Sequence, residues 1–110
     1  QMNLFNCKIE NGTAIIADNQ INLERSINIV DACIGIRPDD IQIKENGKYN
    51  SIANLVEYLG SDMIVYSSME DQEFSCKLSS KIDIKAGDKF NFDIAPNSVH
   101  IFDNSNSLRI

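Results

Sequence analysis

The side chains able to do chemistry in this chain are few, and their spacing excludes most of the usual sites. His100 is the single histidine, so a histidine-rich metal site and a relay of two imidazoles are both excluded, and a cysteine nucleophile with His100 as its base is the one nucleophilic pair the composition allows. Cys7, Cys33 and Cys76 are odd in number and lie 26 and 43 residues apart, which gives neither a closed disulfide framework nor a paired-cysteine zinc motif. Cys33 stands between Ala32 and Ile34 with no cation beside it, the sequence setting of a buried, inert thiol. No glycine opens the Gly-Lys-Ser/Thr loop whose amides cradle a nucleotide phosphate; Gly47-Lys48 is followed by Tyr49. No binding or hydrolysis of ATP by that route is expected, and the domain is read as no enzyme, with no cofactor and no metal.

Asp39-Asp40 is a carboxylate pair only in name, because adjacent residues in a turn point apart and acid–base work needs convergent groups. The pair reads as a solvated cap. Phe74, Phe90, Phe92 and Phe102 could form stacking platforms for single-stranded nucleic acid, but Glu70, Asp71, Glu73, Asp88, Asp93 and Asp103 surround them where a positive groove is needed. Core packing is the expectation for these rings. Arg37 ends the apolar run Ala32 to Ile36 and precedes proline, which makes it a cation pinning a turn through a carboxylate or carbonyl partner. Direct contact with a ligand is the competing reading.

These residues must be held by β-structure. Every second side chain is apolar in Phe90-Asn91-Phe92-Asp93-Ile94 and in Ile82-Asp83-Ile84, the pattern of a sheet with one buried face. Further strands are expected at residues 4–9, 13–17, 33–37, 41–43, 51–59, 63–68, 74–78 and 101–102. Turn signals separate them at Asn11-Gly12, Asp18-Asn19, Asn46-Gly47, Gly60-Ser61-Asp62, Glu70-Asp71 and Ala86-Gly87-Asp88. Asn11-Gly12 and Asn46-Gly47 suit hairpins because both residues tolerate positive φ. One short helical turn is expected after Pro38, where proline fixes φ and two carboxylates favour a helix start. The polar residues 104–107 are expected to fray.

Ten basic against sixteen acidic residues leave a net charge of −6 on 110 residues, a poor surface for nucleic acid or anionic membrane. With 43% hydrophobic residues a chain of this size buries about two thirds of its unfolded surface, enough for one domain over residues 1–110. The longest apolar runs are four residues, against roughly 20 needed to cross a bilayer as a helix, so no direct membrane insertion is expected. The cysteine usage fits a reducing cytosol. Gln1 precedes Met2, which fits an excised piece of something longer.

Four motifs, in order, carry a resemblance: Gly35-Ile36-Arg37-Pro38-Asp39-Asp40-Ile41, Val56-Glu57-Tyr58-Leu59-Gly60-Ser61-Asp62, Ala86-Gly87-Asp88 and His100-Ile101-Phe102-Asp103. Together they resemble the TOBE domain, the C-terminal regulatory domain of ABC importer ATPases of the maltose and glycerol-3-phosphate type, from Met2 to about Arg109. The family usually carries Glu at the position of Asp39, which keeps the charge and shortens the reach. The resemblance implies an all-β, OB-like barrel with at most one short helical turn, joined in such proteins to an N-terminal ATPase domain absent from this chain.

It implies further a regulatory and dimerisation role in sugar or related solute import. The partners would be a second copy of the same domain and, through the missing ATPase domain, the membrane-spanning subunits, on the cytoplasmic side of the inner membrane. Gly35, Arg37, Pro38, Asp39, Glu57, Gly60, His100, Phe102 and Asp103 are carried over as motif and interface residues. An oxyanion-sensing TOBE domain is the alternative.

Overall fold

The computed structural model describes residues 1–106 and 108–110. Among the described residues twelve strands are formed: β1 Asn3–Glu10, β2 Thr13–Ile16, β3 Asn19–Asn22, β4 Ile29–Ile36, β5 Ile41–Ile43, β6 Tyr49–Ile52, β7 Leu55–Leu59, β8 Asp62–Met69, β9 Gln72–Ser79, β10 Lys89–Ile94, β11 His100–Asp103 and β12 Leu108–Arg109. They make a six-stranded sheet in the order β12-β11-β4-β1-β2-β3 and two three-stranded sheets, β5-β10-β6 and β7-β8-β9. All the pairings are antiparallel. The three sheets wrap one core, the all-β, OB-like architecture that the alternation and the resemblance imply.

Alternation translates directly into burial. In β8 every second residue, Met63, Val65, Ser67 and Met69, is buried, and in β10 the same holds for Phe90, Phe92 and Ile94. The rings of Phe5 and Phe74, of Phe74 and Phe92, and of Tyr49 and Phe92 each lie 5.7 Å apart, within the range of favourable tilted contacts. Phe74 thus joins all three sheets, since Phe5 comes from β1 and Phe92 from β10.

Where backbone ladders stop, polar side chains take over, as buried amide groups require. Asn3 uses its carboxamide on Ser75, donating to O and accepting from N at 2.8 Å each, and Gln72 does the same to the backbone of Asn6 at 3.1 and 2.6 Å. These two reciprocal pairs close β1 against β9. The Ser51 and Ser67 hydroxyls lie against each other and against the carbonyls of Ser68 and Ile52, two protons shared among three contacts that close β6 against β8.

Several expectations need correction. Ile82-Asp83-Ile84 is not a strand: Ile84 plugs the core and Ile82 is exposed, but no ladder partner lies alongside, so the alternation records burial without pairing. The segment 51–59 breaks at Ala53-Asn54, where Ala53 N donates to Asp88 O and Asn54 N to Tyr66 O, and becomes two strands in different sheets. Neither Asn46 nor Gly47 takes a positive φ; a β-carbon on Gly47 would come within 2.5 Å of the Phe92 backbone, so close approach rather than turn chirality selects glycine there. The 3₁₀ turn at Pro38–Asp40 forms as expected, and a second proline-led turn, Pro96–Ser98, adds to it. In the polar stretch 104–107, Asn104 is tied to Asp31 through backbone and side chain at 3.0 Å, and Ser107 lies outside the described residues.

Candidate functional site

Apart from Gly60, the residues singled out by motif fall on or beside two surfaces that meet at the start of β1. One is the outer face of the six-stranded sheet. The register sets Gly35 between Leu4 and His100, and Cys33 between Asn6 and Phe102. The core-facing partners Phe5, Ile34 and Ile101 turn the opposite way. The Met2 side chain covers Gly35, and Leu4, Cys33, Phe102, Asp103 and Asn104 line a shallow depression of about 290 Å³. Leu4 is 56% exposed and Phe102 half-buried, so of the four phenylalanines discussed above, Phe102 leaves the core and joins an outward apolar patch.

The second surface is a groove of about 440 Å³ between the 3₁₀ turn and the β8–β9 hairpin. Arg37, Pro38 and Asp39 line one side of it, and Ile64, Tyr66, Ser75 and Lys77 the other. Tyr66 also lines an adjoining groove with Leu4, Leu55 and Phe74. Its hydroxyl donates to the Glu57 carboxylate at 3.2 Å, a bond that raises its pKa because it holds the proton on the phenol. Glu57 is thereby attached to the groove through Tyr66. Gly60 is not: it opens the β7–β8 hairpin with φ +78° and has no atom within 4 Å of a β-carbon built there.

Arg37 does not pin the turn as expected. Its side chain is exposed, and among the described residues it makes no ion pair; only its carbonyl serves the turn, accepting from Asp40 N at 2.9 Å. A strand end reached one residue past the buried Ile36 leaves the next side chain in solvent, and the sequence could not separate these cases. Asp39 is exposed beside it.

The Cys–His reading fails on geometry. Cys33 and His100 share the outer face, yet His100 Nδ1 accepts from the Arg109 guanidinium and Cys33 Sγ turns to Ile34 O at 3.8 Å. Burial raises the Cys33 pKa, and pushes Cys7 and Cys76 to about 11 and about 12. These are packing thiols. Asp103 is a local cap, accepting from the backbone and hydroxyl of Ser105 at 3.0 and 2.6 Å. Among the described residues no three His, Cys, Asp or Glu groups converge to hold a metal. The polar clasps of Asn3 and Gln72 went unread in the sequence, where lone amides in strands give no signal.

The all-β fold agrees with the family comparison. The family model described as TOBE domain matches residues 34–102, more than half of the chain. The chain belongs to the TOBE domain family. It is 29% identical, over 99% of its length, to the oligosaccharides import ATP-binding protein MsmX of Bacillus subtilis, of which it covers 34%. It is also 29% identical, again over 99% of its length, to the sn-glycerol-3-phosphate import ATP-binding protein UgpC 2 of Agrobacterium fabrum, covering 31%. A UgpC of Cupriavidus pinatubonensis is 32% identical over 73% of the chain, which covers 22% of that protein. The chain spans about a third or less of the length of these relatives. All three of these relatives are import ATP-binding proteins, so this TOBE domain is homologous to a part of such subunits.

Proposed function

We propose that this TOBE domain is the non-catalytic regulatory and dimerisation domain of an ABC importer ATP-binding subunit serving uptake of a sugar or related solute. The observation that carries the reading is the outward apolar patch of Leu4 and Phe102 over the buried Cys33, built beside the motif residues Gly35 and His100. A second copy is the occupant of this patch. An isologous contact sets the same patch on both sides, so each Phe102 packs against its counterpart's face. The ATPase domain lies outside these 110 residues and, through it, the dimer reaches the membrane-spanning subunits on the cytoplasmic face of the membrane. Two rigid barrels in contact keep paired ATPase domains at high effective concentration while those domains open and close.

Sedimentation from micromolar to millimolar chain concentration tests this. Monomer should give way to dimer, and Phe102→Lys should abolish the transition. A strict monomer throughout, or a dimer indifferent to Phe102→Lys, speaks against the reading.

A second reading, sensing of a small anion, is favoured by one observation: Arg37 is exposed in a groove that also holds Lys77.

A further inference from the structure

We propose that the groove between the Pro38–Asp40 turn and the β8–β9 hairpin binds a hydroxylated phosphomonoester, a polyol or sugar phosphate, with Arg37 and Lys77 on its phosphate. The inference rests on the anion-sensing reading and adds the ligand class and the groups that would hold it.

The chain carries −6 overall, and Arg37 and Lys77 line one groove, whereas in the other groove with two cations, that of Lys44 and Lys48, Lys44 is paired with Asp93 at 3.6 Å. Both are available. Arg37 has no ion pair among the described residues, and Lys77 Nζ reaches only Asp62, at 4.0 Å, the outer limit of an ion pair. They come from separate elements: Arg37 from the end of β4, Lys77 from β9, where the buried Phe74 and Cys76 on either side of Ser75 fix the strand and turn Lys77 outward. A guanidinium and an ammonium lining one groove suit a phosphate, the arginine able to bind it bidentately and the lysine as a point charge.

The size and the third charge select the rest of the ligand. About 440 Å³ has room for a tetrahedral anion together with a small organic body. Asp39 lines the same groove, and its carboxylate accepts hydroxyl groups while repelling a second phosphate. That combination disfavours polyphosphates and favours one phosphate on a polyol. The floor is already in place: the Asn3 carboxamide and the Ser75 backbone satisfy each other, so binding has little to reorder.

Titration calorimetry on the chain at low salt, with glycerol 3-phosphate, glucose 6-phosphate, inorganic phosphate and glycerol, is the test. The two phosphomonoesters should bind about tenfold more tightly than inorganic phosphate, and glycerol not at all. Arg37→Met and Lys77→Met should each weaken binding about tenfold or more, the size of one charge-assisted hydrogen bond. Lys44→Met, on another groove that holds Lys44 and Lys48, should leave it unchanged. Amide shift changes on titrating the parent chain should centre on residues 37–39 and 75–77, a readout that does not depend on any variant folding. Binding that survives both Arg37→Met and Lys77→Met overturns the site while leaving anion sensing intact. Inorganic phosphate binding as well as the esters overturns the ligand class. No heat with any phosphate overturns the inference and the anion-sensing reading together.

Discussion

The carboxamide of Asn3 pairs with the backbone of Ser75 as a strand partner would, one bond donated and one accepted at 2.8 Å, across 72 residues of sequence. Asn3 is only 8% exposed, and these bonds sit at the start of β1, where Asn3 pairs with Ile36 of β4 on one side and the β1–β2 ladder, confined to residues 8–10 of β1, does not reach on the other. Replacing Asn3 with Ala leaves the Ser75 N–H and C=O without partners in a half-buried setting. The expected cost is about 1–3 kcal/mol, the desolvation penalty of orphaned backbone groups. Urea unfolding of parent and Asn3→Ala at one pH measures it. An unchanged midpoint would show that water replaces the carboxamide freely.

Gly60 opens the two-residue β7–β8 loop with φ +78°, the glycine-first pattern of a type II′ connection. No neighbour lies within 4 Å of a β-carbon placed there, so crowding cannot contribute and only backbone strain remains. Gly60→Val should lower stability by about 1–3 kcal/mol, and Gly60→Asn by clearly less, because asparagine tolerates the left-handed region better than a β-branched residue. The ordering of the two variants in thermal unfolding is the check; equal losses would contradict it.

How much of this was legible in the sequence depended on whether a feature was periodic. Strands whose alternate residues fill the core, such as β8 and β10, were readable because one buried face forces a period of two. The same signal misled at Ile82-Asp83-Ile84, since burial of Ile84 needs no ladder. Asp18-Asn19 marked a turn, but positive φ falls on Ala17 and Asn19 already opens β3, a one-residue slip that composition cannot resolve. The motif residues were readable, whereas their division between an outer sheet face and a groove was set by long-range register, such as Phe102 opposite Cys33. Arg37 was misassigned because a strand end next to a core and a strand end next to solvent have the same local sequence.

The thiols predict an alkaline weakness. Burial raises Cys76 to about 12 and Cys7 to about 11 from an ordinary value of 9.0, and Tyr49 and Tyr66 are raised as well. A group whose folded pKa lies above its unfolded one contributes stability in full below the unfolded value and loses it as pH rises towards the folded value. Stability should therefore be level up to about pH 9 and fall between pH 9 and 12. Cys76→Val, similar in volume and without a proton to lose, should flatten part of that fall. Urea midpoints from pH 8 to 11 under reducing conditions test it, and identical slopes for the two proteins would refute the assignment to Cys76.

Arg37 provides the sharpest separation of structure from function. An exposed guanidinium with no ion pair among the described residues contributes little to folding, so Arg37→Met should stay within about 0.5 kcal/mol of the parent. The turn itself is held by the Arg37 carbonyl, which accepts from Asp40 N, and by the fixed φ of Pro38, neither of which the substitution alters. Pro38→Gly should be the more damaging change, because it frees the backbone of the unfolded chain at the first position of the 3₁₀ turn. Thermal and urea unfolding of the two variants at one pH and salt concentration decide between the roles. A loss of about 3 kcal/mol in Arg37→Met would mean that the side chain is a buried pin in solution, leaving a carboxylate alone when removed, and would withdraw it from the groove.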